Sequence, residues 1–146
     1  MYESNIGITK DYQEALKWYR LAAAQGNAGA QNNIGSMYQN GEGVPRNFQE
    51  ALKWYRLAAN QGDDFAQTSL GEMYAIGLGV TQNYLAALKW YRLAAAQGNL
   101  NSQFSLGVMY DKGLGVARNG QESNKWYRLA ERQGHLGARA ALKIPR

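Results

Sequence analysis

Apolar positions recur along this chain with the period of a helix. Ala30, Ile34, Met37 and Tyr38 stand at i, i+4, i+7 and i+8, the spacing of one helical face. Ala51, Leu52, Tyr55, Ala58 and Ala59 repeat that logic further on, with Lys53 and Arg56 turned outward. Both stretches predict helices, and their ends are marked. Asn27, Asp63 and Asn99 each follow a Gly and precede a helix of the first kind, where a short side-chain oxygen accepts from the unpaired N–H groups of the first turn. Asp11, Asn47, Asn83 and Asn119 precede the second kind, and Glu14, Glu50 and Glu122 follow three residues on, as in a capping box. Gly26, Gly62, Gly98 and Gly134 close the second helices, suiting the left-handed backbone of a helix end.

The pattern is periodic at a longer range. Trp18, Trp54, Trp90 and Trp126 are 36 residues apart, each inside one phrase: ALKWYRLAAAQG, ALKWYRLAANQG, ALKWYRLAAAQG and SNKWYRLAERQG. Between them stands a second phrase, IGSMYQNGEGVPRN, LGEMYAIGLGVTQN and LGVMYDKGLGVARN. The predicted organisation is one solenoid domain over residues 1–146: a partial repeat over 1–26, full repeats 27–62, 63–98 and 99–134, and a capping helix over 135–146. Gly35, Gly71 and Gly107 fall inside helices, where glycine costs about 1 kcal/mol relative to Ala. Close approach of a neighbouring helix, with a Trp or Tyr ring filling the space, offsets that cost. The tryptophans are accordingly expected in the core. Ser123 and Asn124 stand where other repeats have Ala and Leu, so the last second helix is expected to pack less tightly. Met1 and Tyr2 align with Met37 and Tyr38, so the chain opens at the close of a first helix. Lys143 replaces the close-packing Gly, and Pro145 is expected to stop the helix there.

The A-x-x-x-L-G-x-x-Y helix, the G-x-G-V turn and the A-x-x-W-Y-x-x-A-A-x-Q-G helix together resemble the Sel1-like repeat (SLR) family, a branch of the tetratricopeptide-type helical repeats. The resemblance covers nearly the whole chain. It implies an all-α fold, a right-handed α/α superhelix (solenoid) of 36-residue two-helix repeats. It further implies that first helices line a concave surface and second helices form the convex back. Proteins of this kind are implied to be adaptors that hold peptides or folded domains, frequent in bacterial envelope, secretion, immunity and host-interaction systems.

Composition narrows the chemistry. Among 146 residues there are 10 Tyr and 4 Trp but no Cys, so neither a disulfide framework nor a thiolate nucleophile is available. A single histidine, His135 at a cap position, argues against His-based catalysis and most metal sites. No nucleophile–base–orienter set is visible, so the expectation is no enzyme, no cofactor and no metal. The turns Gly41/Gly43, Gly77/Gly79 and Gly113/Gly115 follow helices and lack the further residues of a phosphate-binding loop, which marks them as turns. No stretch reads as a membrane span. The net charge is +5, and residues 112–146 carry 8 basic against 2 acidic side chains. That basic end lacks interleaved aromatics for base stacking beyond Trp126 and Tyr127, which makes nucleic acid a minor alternative. The ladder of Lys17/Arg20, Lys53/Arg56, Lys89/Arg92 and Lys125/Arg128 is read as a solvated outer face. Localisation is expected to be cytoplasmic if Met1 is the native start, and periplasmic or secreted if the chain is part of a longer one.

Comparison of the repeats with one another supplies the functional expectation. Positions shared by all repeats are explained by packing and capping, whereas one face of the first helix changes from repeat to repeat. That face carries Gly29, Asn32, Asn33, Ser36 and Asn40, then Phe65, Thr68, Ser69, Glu72 and Ile76, then Asn101, Phe104, Ser105, Val108 and Lys112. Exposed apolar groups rimmed by polar ones suit a binding groove. The expected partner-binding set is thus Asn33, Ser36, Asn40, Phe65, Thr68, Ser69, Glu72, Ile76, Asn101, Phe104, Ser105, Val108 and Lys112. Within it Phe65 and Phe104 serve as apolar anchors, and Glu72 and Lys112 fix register. The expected function is a non-catalytic adaptor for a peptide or protein. The alternatives are self-association through an unfinished N-terminal face around Tyr12, Leu16 and Tyr19, giving a homo-oligomer, and an immunity or regulatory partner in a secretion or envelope system.

Overall fold

The computed structural model describes residues 2–144, and side chains from Asp11 to Ile144. Pro145 and Met1 lie outside the described residues, as does the side chain of Tyr2. Eight helices and no strand are present among the described residues: α1 (Tyr2–Ala24), α2 (Ala28–Asn40), α3 (Phe48–Asn60), α4 (Asp64–Ile76), α5 (Tyr84–Ala96), α6 (Leu100–Lys112), α7 (Gly120–Arg132) and α8 (Leu136–Leu142). They fall into helical hairpins repeating every 36 residues, as the spacing predicts. The chain divides into two compact units, residues 1–66 and 67–146.

Local chemistry sets the ends. The side chains of Asn27, Asn47, Asn83, Asn99 and Asn119 each accept a backbone N–H of the following turn. Asp63 does the same for Ala66 at 2.9 Å, and His135 Nδ1 accepts from Ala138 at 3.1 Å. Asp11 departs from this scheme, because α1 runs straight through it. The stretch before it, Asn-Ile-Gly-Ile-Thr-Lys, has Asn5 where Gly41 turns the later chain left-handed at φ 70 and Thr9 where Pro45 stands, so nothing breaks the helix.

In the first unit α1, α2 and α3 bury Leu16, Ala23, Ala30, Ile34 and Met37 in one cluster, with Tyr12, Tyr19, Tyr38, Val44 and Trp54 around it. In the second, Ala87, Leu88, Tyr91, Ala95, Leu106 and Met109 form another, edged by Tyr74, Tyr84, Leu114, Val116 and Trp126. Tyr127, Ala130 and Ala138 make a third where α7 meets α8. The intrahelical glycines are explained by tyrosine. A Cβ at Gly35 would lie 2.7 Å from the Tyr55 ring, and one at Gly71 or Gly107 would lie 2.5 Å from Tyr91 or Tyr127. Tyrosine, not tryptophan, fills the gap: Tyr55, Tyr91 and Tyr127 are buried, Trp54, Trp90 and Trp126 are half-buried, and Trp18 is 59% exposed. The indole is the wider ring and lies at the edge of a cluster, while the narrower phenol fits against the bare glycine backbone.

Glutamines, which the sequence reading passed over, stitch the hairpins together. Gln61 donates to Gln31 at 2.8 Å, Gln97 to Gln67 at 2.9 Å and Gln133 to Gln103 at 2.9 Å. Gln31 and Gln103 in turn donate to the carbonyls of Ala23 and Ala95 in the preceding helices, each at 3.4 Å. A buried amide needs such partners, and here it receives them once per repeat. Ser123 is fully buried and donates to the Gly107 carbonyl at 2.9 Å, while α7 buries Ser123, Tyr127 and Ala130 where α3 and α5 each bury five residues, in line with the looser packing expected of it.

Candidate functional site

The first-helix face is built by the caps and glycines just described. Each Asn or Asp cap starts the helix at the same phase, and each tyrosine seated on a mid-helix glycine holds the helix against its partner. Positions opposite the buried stripe are then left to face outward, and there the repeats differ.

In α2, Asn33 and Asn40 are exposed and Ser36 is half-buried; Asn40 donates to Ser36 Oγ at 3.3 Å. On α4, Phe65, Glu72 and Ile76 are exposed and Ser69 is half-buried. On α6, Asn101 and Lys112 are exposed while Phe104, Ser105 and Val108 are half-buried. Thr68 does not belong to the open surface. It is buried, and its hydroxyl pairs with that of Ser102 at 2.7 Å, joining α4 to α6. Phe104 and Val108 also have a structural task that the repeat pattern concealed. Phe104 stacks on His135 with ring centroids 4.3 Å apart and tilts against Tyr127 at 5.7 Å, and both side chains pack on the cluster that seats α8. The contacts with His135 and α8 come from outside the repeat unit, which is why comparing repeats did not show them.

Two cavities open at equivalent places, two repeats apart in sequence. One, of ≈ 190 Å³, lies between α1 and α2 and is lined by Tyr12, Tyr19, Asn33, Ser36, Met37 and Glu42. The other, of ≈ 240 Å³, lies between α5 and α6 and is lined by Tyr84, Tyr91, Ser105, Val108, Met109 and Leu114, with Ala75 and Phe104 at its side. Position for position, Asn33, Ser36 and Glu42 become Ser105, Val108 and Leu114. A polar, acidic slot in one is therefore an apolar slot in the other.

The phenol hydroxyls of the second helices differ in their partners. Tyr55 donates to Gln39 at 2.6 Å, and Tyr127 donates to Asp111 at 3.3 Å. The residue at that position for Tyr91 is Ala75, which offers no acceptor. Tyr91 instead has a hydrogen bond with Ser105, and burial followed by the neighbouring Glu72 charge pushes its ionisation well above the ordinary phenol range. The Glu72 carboxyl is itself raised by desolvation. Sequence reasoning selected Glu72 and Ser105 but missed Ala75, Tyr84, Tyr91, Met109 and Leu114. The signal for Ala75 was present, since Gln39, Ala75 and Asp111 occupy one repeat position.

The outer ladder is exposed throughout, as expected of a solvated face, and its cations make surface contacts. Arg20 donates to Tyr38 at 3.3 Å and Arg92 to Tyr110 at 2.8 Å, while Lys17, Lys89 and Lys125 lie 5.0–5.6 Å from the rings of Trp18, Trp90 and Trp126. The N-terminal face drawn around Tyr12, Leu16 and Tyr19 packs against α2, with Leu16 buried; among the described side chains of α1, Trp18 and Leu21 are large exposed apolar groups. Among the described residues no cluster of three or more His, Cys, Asp or Glu could hold a metal ion, and no helix is long and apolar enough to cross a membrane.

Hairpins of 36 residues, capped by Asn or Asp and locked by tyrosine on glycine, define a helical solenoid repeat protein. The Sel1 repeat model matches residues 1–27, 28–63, 64–99 and 100–135, and the chain belongs to the Sel1 repeat family. Solved structures agree. A protective antigen of uropathogenic Escherichia coli strains, described as displaying an SLR fold, is 46% identical with a TM-score of 0.86 over 90% of this chain and 28% of its own. A Sel1 repeat protein from Oxalobacter formigenes is 38% identical with a TM-score of 0.86 over 91% of this chain and 55% of its own. Cysteine rich protein B of Helicobacter pylori shares the fold, at 21% identity and a TM-score of 0.72 over 92% of this chain and 96% of its own. The chain thus spans about a quarter and about half of the two more similar proteins. No curated protein matches it. Sel1 repeat proteins are generally protein-interaction scaffolds, and the fold is a non-catalytic scaffold.

Proposed function

We propose that this chain is a non-catalytic adaptor that holds a peptide or the edge of a folded protein on the outward faces of its first helices. The observation that carries the reading is the division of labour between positions. Residues that cap, stitch or lock are the same or chemically equivalent in every full repeat, while Asn33, Ser36 and Asn40, Ser69, Glu72 and Ile76, and Asn101, Ser105 and Lys112 vary and remain open to solvent in part or whole. Phe65 and Ile76 supply apolar contact there, and Glu72 and Lys112 supply charge for register. The scaffold helices are already formed, so binding orders the partner alone.

The test is site-specific photocrosslinking in the host. A benzophenone side chain placed at Asn33, Asn101 or Ile76 is expected to trap a defined partner, and one at Gln49 or Lys125 on the second helices is expected to trap none. A partner trapped only from the second helices would overturn the reading. Self-association through α1 is the second reading. It is supported by exposed Trp18 and Leu21 beside a ≈ 550 Å³ cavity lined by Leu16, Lys17, Arg20, Leu21 and Val44. Sedimentation at rising concentration tests it, since one monomeric species throughout would remove it.

A further inference from the structure

We propose that the cavity between α5 and α6 is a side-chain pocket for an arginine of the bound peptide, a specificity that rests on the adaptor reading above. Ala75 lies at the side of this pocket, and where Gln39 and Asp111 reach the tyrosine hydroxyls of their own repeats it ends at a methyl group. The walls are those a long aliphatic stem and a flat cation require. Val108, Met109 and Leu114 are apolar, and Tyr84, Tyr91 and Phe104 present rings. The volume of ≈ 240 Å³ suits one side chain and not a folded element.

Charge selects arginine over an apolar residue. Glu72 lies one helical turn before Ala75 on α4, close enough for its charge to act on Tyr91 in the pocket wall. Desolvation acts on this carboxylate, and among the described residues it has no ion-pair partner. A carboxylate so placed is stabilised by an incoming cation that offers two parallel N–H donors, and a guanidinium does this while its stem and face stay on apolar walls. The equivalent cavity between α1 and α2 has Glu42 where Leu114 stands and Ser36 where Val108 stands, so it lacks the apolar walls. The arginine pocket therefore belongs to the second unit alone of these two.

The experiment titrates the whole isotope-labelled chain with three blocked nonapeptides of Ala and Ser that differ only at the centre: arginine, citrulline or leucine. Citrulline keeps the shape of arginine and removes its charge. The arginine peptide is expected to bind at least tenfold more tightly than the citrulline peptide and to move the resonances of Ala75, Ser105 and Leu114. Glu72→Gln, on the surface, is expected to erase the preference for arginine over citrulline. Ala75→Gln gives Tyr91 the partner that Gln39 gives Tyr55, and is expected to fill the cavity and weaken the arginine peptide at least tenfold with the melting temperature kept. Equal binding of arginine and citrulline peptides, or full binding to the Ala75→Gln chain, overturns the pocket. If crosslinking from Asn101 and Ile76 still traps a partner in that event, the pocket falls and the adaptor reading stands. If crosslinking fails as well, both fall.

Discussion

Gly107→Ala tests the lock at the centre of each repeat. On an exposed helix this exchange stabilises by about 1 kcal/mol, because Ala loses less backbone entropy than Gly. Here the new Cβ would lie 2.5 Å from Cδ1 and Cε1 of Tyr127 and 3.0 Å from its next ring atom. Carbon atoms rest at roughly 3.5–4.0 Å, so the ring has to retreat by about 1 Å. It has nowhere to go: Tyr127 is 2% exposed, its hydroxyl donates to Asp111, and Phe104 lies against its face. Overpacking of this kind costs about 1–3 kcal/mol, enough to cancel the helical gain and leave a net loss of up to about 2 kcal/mol. Urea denaturation reads this as a lower midpoint at unchanged slope. The sign should reverse in a Tyr127→Ala background, where Gly107→Ala meets empty space and should raise the midpoint. A chain in which Gly107→Ala is stabilising with Tyr127 present, or in which the two changes are simply additive, would refute close packing as the reason for these glycines.

Two further outcomes follow from the corrected site. Thr68→Val keeps the shape but strands the Ser102 hydroxyl, which is itself fully buried, and should cost about 1–3 kcal/mol in a denaturation measurement while leaving crosslinking from Asn101 intact; an unchanged midpoint would return Thr68 to the surface. Burial raises the Glu72 carboxyl above 4.5, so the folded chain holds that proton more tightly than the unfolded chain does. The stabilisation is complete below 4.5 and disappears as pH rises through the raised folded value. Relative to Glu72→Gln, the parent chain should therefore lose midpoint from pH 4 to pH 7, and a relative gain over that window would show the carboxylate to be stabilised in place.

Much of this protein is local, and local features are legible in sequence. Asn47 or Asn99 caps its own turn, Gly134 closes its own helix, and the 36-residue phrase aligns every such device, so the helices and their pairing could be read before any coordinates. The varying face of the first helix followed by subtraction, and Glu72, Ile76, Asn101 and Lys112 do stand open on it. The errors lie where the deciding partner is far along the chain. Thr68 is hidden by Ser102, and Phe104 by His135, a cap residue of the next helix. Tyrosine and tryptophan are adjacent in the phrase, and only packing determined that the phenol enters the core and the indole covers its edge. The pocket beside Ala75 is of the same origin. A missing acceptor is visible in one letter, but whether its absence makes room depends on what Leu114, Tyr84 and Phe104 bring to the same place. Backbone preference acts over a few residues and is written in order along the chain, whereas burial is a property of surfaces that meet only after the helices have stacked.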